Sequence, residues 1–227
     1  MEHIIEDFYK SVIYDNRYEI ILEGLKNTIL IALGSVVIGI ALGLLIAVIK
    51  DSHEKTKKMP ILSFVCHLYV TLIRGTPALL QLMIIYYVIF KSININPVLV
   101  GILSFGINSA AYVSEIMRAG INSVNTGQME AASSLGLNYH QSMKYIIIPQ
   151  AIKNVLPALG NEFITLIKET SVAGYIGIVE LTKSGDIIAS NTYNYFFPLI
   201  ITALIYLFLT TVLSKLLNKF ERKINRA

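Results

Sequence analysis

Apolar residues along this chain come in runs longer than a water-soluble core needs. The longest, residues 28–49, holds no charged side chain before Lys50. About 20 such residues cross the hydrocarbon of a bilayer as an α-helix. The pattern predicts five spans, at 25–49, 61–90, 98–117, 155–178 and 196–217. The second is long enough for a lead-in turn and a crossing kinked at Pro77, which has no N–H to offer the Ile73 carbonyl. The expected fold is therefore all-α, a single membrane domain over 1–227, whose backbone polar groups are satisfied within helices.

Within the first run, Ser35, Gly39, Gly43 and Ala47 recur every fourth residue. They put small side chains on one helix face, where a second helix can approach closely. This stripe reads as packing, with no chemistry attached.

The polar segments set an expected orientation. Segments 50–59, 118–154 and 215–227 carry Lys50, Lys55, Lys57, Lys58, Arg118, Lys144, Lys153, Lys215, Lys219, Arg222, Lys223 and Arg226. Segments 1–22, 90–96 and 180–194 carry only Lys10, Arg17, Lys91 and Lys183. Basic residues accumulate on the cytoplasmic side, so the expectation is N-terminus out and C-terminus in. The first residues are polar and acidic rather than basic and then apolar, so the first span is expected to serve as its own insertion signal.

Composition agrees with a membrane location: 54% of residues are hydrophobic and 15% charged, against about 25% charged in soluble domains. The net charge of +4 follows from the placement of basic residues and does not call for nucleic acid. The single Cys66 excludes an internal disulfide and a cysteine metal site. His3, His53, His67 and His140 are scattered, and no Gly-x-Ser-x-Gly elbow occurs. A metal site and a hydrolase are therefore not expected. Neither is a nucleotide site, since no Gly-x-x-x-x-Gly-Lys-Ser/Thr loop is present.

Polar side chains at membrane depth are costly and mark candidate function. The third span carries Asn108, Ser109, Tyr112, Glu115 and Arg118; positions 108, 112 and 115 share one face. The second span offers Arg74 and Gln81, the fourth Asn161, Glu162, Lys168, Glu169 and Thr170. A free amino acid needs a donor for its carboxylate and an acceptor for its ammonium. Arg74, Gln81, Asn108, Ser109 and Glu115 supply both and are the candidate pathway residues. The same charges also fit structural pairs, Glu115 with Arg118 and Lys168 with Glu169.

The segment between the third and fourth spans, 125–149, reads as two short helices. Asn125 with Gln128, and Asn138 with Gln141, have capping-box spacing. A helix from about Thr126 to Leu135 should end at a left-handed Gly136, and a second should end before Pro149. Such a hairpin either docks in a groove of a soluble partner or lies on the lipid surface.

Glu130-Ala131-Ala132, Gly136 and Ile146-x-Ile148-Pro149 resemble the EAA loop of ABC importer permeases, with Ile148 where that pattern has Leu. Glu23-Gly24-Leu25-Lys26-Asn27-Thr28, Arg74-Gly75-Thr76-Pro77 and the stretch from Asn108 to Gly120 resemble the polar amino-acid branch of that family, whose members carry histidine, glutamate, glutamine or arginine. The resemblance covers most of 20–215. It implies the five-helix core of a type I importer in a bacterial cell membrane. Its partners would be a second permease copy or homologue, an ABC ATPase dimer, an extracellular amino-acid-binding protein and the lipid bilayer. ATP and Mg would be bound by the ATPase and no cofactor by this chain. Glu130, Ala131, Ala132 and Gly136 are thereby assigned to ATPase coupling. A self-sufficient secondary transporter or channel is the competing expectation, although no inverted repeat is evident.

Overall fold

The computed structural model describes the backbone of residues 2–224 and the side chains of these except 2–5, 55 and 56. The expectations resting on His3, Arg226 and the Lys55 side chain lie outside the described residues. Among the described residues the chain is helical throughout its ordered elements, with no strand.

Helices α1 (Glu2–Val12) and α2 (Tyr18–Thr56) are separated by a single turn in which Asp15 and Asn16 adopt positive φ. Helix α3 (Pro60–Arg74) leads to α4 (Ala78–Ile84), which widens into a π turn at Ile85–Ile89. Helices α5 (Pro97–Asn122), α6 (Thr126–Ser134) and α7 (Tyr139–Ser142) follow. After a second π turn, Met143–Ile147, come α8 (Ile148–Glu169), a 3-10 segment at Thr170–Ile176, α9 (Leu181–Thr192) and α10 (Phe196–Ile224).

By length and apolar composition, α2, α5 and α10 are each able to cross a membrane, and α3 with Ala78–Ile89 makes a fourth if taken as one crossing. The stretch expected as the fourth span, 155–178, falls on α8 and the 3-10 segment after it. Its polar residues keep α8 from standing out by composition.

The α2–α5 pair is the axis of the fold. The small-residue stripe of α2 faces α5: a Cβ on Gly39 would lie 2.7 Å from Ser109 Oγ, and one on Gly43 2.7 Å from Val113. Ser35 Oγ donates to the Ile102 carbonyl at 3.1 Å. Helix α8 crosses α5 as closely, since a Cβ on Gly120 would lie 2.1 Å from Val155 Cγ2. A buried apolar cluster including Ile31, Leu82, Phe105 and Leu166 ties α2, α4, α5 and α8 together.

The break between α3 and α4 is larger than a proline kink. The two helices meet at 110°. Gly75 ends α3, Pro77 is extended at ψ 135°, and a residue preceding proline is itself disfavoured from helix. Three successive helix-breaking positions give a corner where one would give a bend.

Candidate functional site

The corner creates orphaned carbonyls, and one side chain answers them. Gln81 Nε2 donates to the Ile73 carbonyl at 2.8 Å, the Thr76 carbonyl at 3.0 Å and Thr76 Oγ1 at 2.8 Å. Gln81 Oε1 in turn accepts from Asn108 Nδ2 at 2.9 Å. Both amides are buried. The pair therefore pins the broken helix onto α5, with every polar atom of the Gln81 side chain engaged.

One residue further on, Ser109 turns to the other side of α5. It sits over Gly39 of α2 and donates to Glu162 Oε1 of α8 at 2.7 Å. Three helices thus meet at one level through a serine, a glycine and a carboxylate.

Glu115 lies about 10 Å along α5 from Asn108, at 1.5 Å per residue. Its Oε1 accepts from Lys50 Nζ at 2.7 Å, and its Oε2 is 3.9 Å from Arg74 Nη1. Lys50 is 2% exposed, Glu115 34% and Arg74 46%. The guanidinium of Arg74 also lies over the Tyr112 ring, 5.5 Å from its centroid. The exposed edge of the cluster is therefore Arg74, Tyr112 and Glu115, backed by a buried ammonium. A zwitterion can exchange contacts with such an edge, because both signs are present and neither is sealed off.

The expected pairing of Glu115 with Arg118 is not what forms. Arg118 reaches Glu54 of α2 at 3.3 Å. Among the described residues, Lys168 and Glu169 form no ion pair either. Neighbouring helices bring a partner onto the same face, whereas adjacent residues such as 168 and 169 point apart. Sequence reasoning missed Lys50, counting it only as a basic residue after the first span. A signal was available: position 50 follows 47 by three residues and so continues the 35, 39, 43, 47 face that packs on α5.

The Glu23–Thr28 stretch works at the opposite end of α2. Asn27 Nδ2 donates to the Val179 carbonyl at 2.8 Å, and Thr28 Oγ1 accepts from Leu181 N at 3.1 Å. A Cβ on Gly24 would lie 2.8 Å from the Glu180 carbonyl oxygen. Glu180 caps α9 by accepting from Thr182 N and Lys183 N, each at 2.7 Å, and also accepts from Tyr206 Oη at 3.1 Å. Burial pushes its carboxyl above the ordinary range, against these hydrogen bonds, which favour the charged form. This end is a clasp of α2, α9 and α10.

The 125–149 hairpin has the expected stop and one of the two expected caps. Gly136 has φ 83°, and Leu137 N and Gly136 N donate back to the Ala132 and Ser133 carbonyls, which closes α6. Asn138 and Gln141 form the reciprocal capping box. Asn125 instead accepts from Gly127 N alone. The second helix does not stop before Pro149: the π turn at Met143–Ile147 carries the chain past the proline into α8. Glu130 and Ala131 are exposed, and Ala132 is buried within the hairpin.

Comparison with known proteins bears on this arrangement. Residues 28–226 match the family described as binding-protein-dependent transport system inner membrane component. A putative glutamine transport system permease protein of Rickettsia typhi (strain ATCC VR-144 / Wilmington) is 38% identical over 218 residues, 95% of each chain. An arginine transport system permease protein of Bacillus subtilis (strain 168) is 40% identical over 206 residues, 90% of this chain and 92% of that one. A crystal structure of an amino acid ABC transporter with histidines superposes with a TM-score of 0.84 at 45% identity, covering 91% of this chain and 94% of that one.

Proposed function

This chain belongs to the family of binding-protein-dependent transport system inner membrane components, and from that premise we propose that it moves polar amino acids across a bacterial plasma membrane under the drive of a separate ATPase. That it is a membrane-spanning permease component of an amino-acid ABC transport system follows from the family and its relatives. The proposal adds the substrate class, the pathway, the partners and the coupling.

The observation that carries it is mechanical continuity. From Tyr139 to Glu169 the chain is one uninterrupted run of helix, α7 through the π turn into α8. One end of that run is the capped hairpin; the other carries Glu162, which holds Ser109. In this reading a push on the hairpin passes through the 135–138 turn and then along this helical run to the α5 cluster. Glu130, Ala131 and Leu135, the last 81% exposed, offer the hairpin to a soluble partner. Ala132 and Gly136 keep its shape. An ATPase dimer is the partner proposed, with ATP and Mg held there.

In this reading the chain has five spans, N-terminus out and C-terminus in. It pairs with a second permease copy or homologue and receives substrate from an extracellular binding protein. The spans are 25–49, 61–90, 98–117, 155–178 and 196–217, with 125–149 as the coupling loop. Arg74 and Glu115 contact the substrate carboxylate and ammonium, while Gln81, Asn108 and Ser109 set the shape of the pathway beside them. Closure of the ATPase pair brings the two hairpins together and opens the pathway outward; hydrolysis reopens it inward. Glutamine and arginine, the substrates in the relatives' names, are the first to try.

Copurification and reconstitution test this. The chain should copurify with a stoichiometric ATPase, and proteoliposomes holding both should take up labelled glutamine or arginine only with ATP. Uptake by the chain alone would overturn the proposal.

A further inference from the structure

The last helix carries a cationic surface that neither the pathway nor the hairpin uses. Lys215, Asn218, Lys219, Arg222 and Lys223 line one face at the end of α10, and all are exposed. At about 100° per residue the four cations fall within an arc of about 100°. The inward side of the helix is fixed independently. Leu217 packs on Gly160 of α8, where a Cβ would lie 2.3 Å from Leu217 Cδ1. Leu213 and Ile224 are half-buried on that same side. The cationic arc is centred opposite these three residues and points away from the bundle. Among the described residues none of the four cations has an ion-pair partner, and Glu221 is half-buried on the far flank.

Depth and flanking residues decide what the arc meets. The apolar stretch 196–214 is about 28 Å long as a helix, close to the thickness of bilayer hydrocarbon, so Lys215 begins where the hydrocarbon ends. Beside the arc, Leu216 and Phe220 are 58% and 52% exposed. A surface with cations on one side and bare leucine and phenylalanine on the next matches a molecule with a phosphate head and an apolar tail. A soluble acidic protein would match only half of it.

We propose that the end of α10 is a binding strip for anionic phospholipid, with Lys215, Lys219, Arg222 and Lys223 on the phosphate groups, Leu216 at the edge of the acyl region and Phe220 in the interfacial layer beside the headgroups. Juxtamembrane cations of this kind are attracted to an anionic leaflet.

Full-length chain, delipidated in detergent, is titrated with phosphatidylglycerol or phosphatidylcholine, and retained lipid is read by native mass spectrometry. Wild type should retain phosphatidylglycerol at least about tenfold over phosphatidylcholine, and raised ionic strength should erode the preference. Lys215→Gln, Lys219→Gln, Arg222→Gln and Lys223→Gln combined should abolish it. Lys215→Arg with Lys219→Arg and Arg222→Lys, which keeps the charge, should preserve it. Equal retention of the two lipids by wild type overturns the proposal, and so does undiminished phosphatidylglycerol retention in the neutral variant. If the neutral variant keeps its lipid but loses the copurifying ATPase, the surface belongs to the ATPase. Should the combined variant fail to insert, the wild-type lipid and salt comparison decides alone.

Discussion

Lys50 and Gln81 show how single side chains hold this site together. Lys50 is a buried ammonium whose hydrogen-bonded partner is Glu115, and a buried charge left without its partner is expensive. Glu115→Gln should therefore cost stability, about 1–3 kcal/mol given that Glu115 is partly exposed. Transport alone does not separate this from a loss of substrate contact. Arg74→Gln makes the cleaner test, because Arg74 is exposed and 3.9 Å from its carboxylate. Arg74→Gln should leave the thermal midpoint nearly unchanged and raise KM for uptake; unchanged KM and unchanged selectivity would remove Arg74 from the pathway. Gln81→Leu keeps the bulk but strips donors from two carbonyls and an acceptor from Asn108. A loss of about 2 kcal/mol is expected, a fall on the order of 5 °C in the thermal midpoint by scanning fluorimetry in detergent.

Between elements, glycine sets the distances. Gly120 lets α8 lie against α5, and the obstacle to a larger residue there is Val155. Gly120→Ala should destabilise the crossing, and Val155→Ala added to it should recover part of the loss. Additivity of the two losses in a double-mutant cycle would refute direct packing. Gly136 is a different case, since nothing lies within 4 Å of its would-be Cβ and only its φ of 83° requires glycine. Gly136→Val should leave the protein inserted but lower ATP-driven uptake several-fold, whereas Gly136→Asn, tolerant of that conformation, should retain most of it. Equal uptake by the valine variant would count against the hairpin as the coupling element. At the other end, Glu180→Ala removes the cap of α9 and a partner of Tyr206, at an expected cost of about 2 kcal/mol in thermal denaturation.

At the scale of the molecule, the polar cluster on α5, the hairpin and the clasp are linked by long helices. Helix α2 runs from the clasp at Asn27 to Lys50 in the cluster, and α8 runs from the hairpin to Glu162. In the proposed alternating access such a body would move by tilting whole helices. The proposed orientation is checked by fusing a reporter to Ala227: activity on the cytoplasmic side is expected, and an external reporter would reverse both the topology and the role of the hairpin.

The sequence alone determined the helical, membrane-spanning character, because lipid leaves no other use for apolar runs of this length. It determined the small-residue face of α2 and the Gly136 stop, since both follow from local geometry. It also carried enough ordered motifs to indicate the family. It singled out Gln81, Asn108, Ser109 and Glu115 as costly polar groups, but not their partners. Only the tertiary structure decided that Gln81 fills the orphaned carbonyls of its own broken helix, that Glu115 meets Lys50 and not Arg118, and that Ser109 joins α2 to α8. Those choices depend on which helix lies alongside, and hydrophobic patterning fixes the face of a helix without fixing its neighbour. The size of the corner was likewise not read from the sequence: Pro77 announces a kink, whereas the structure gives 110° and has Gln81, held by Asn108 of α5, cover the carbonyls it exposes.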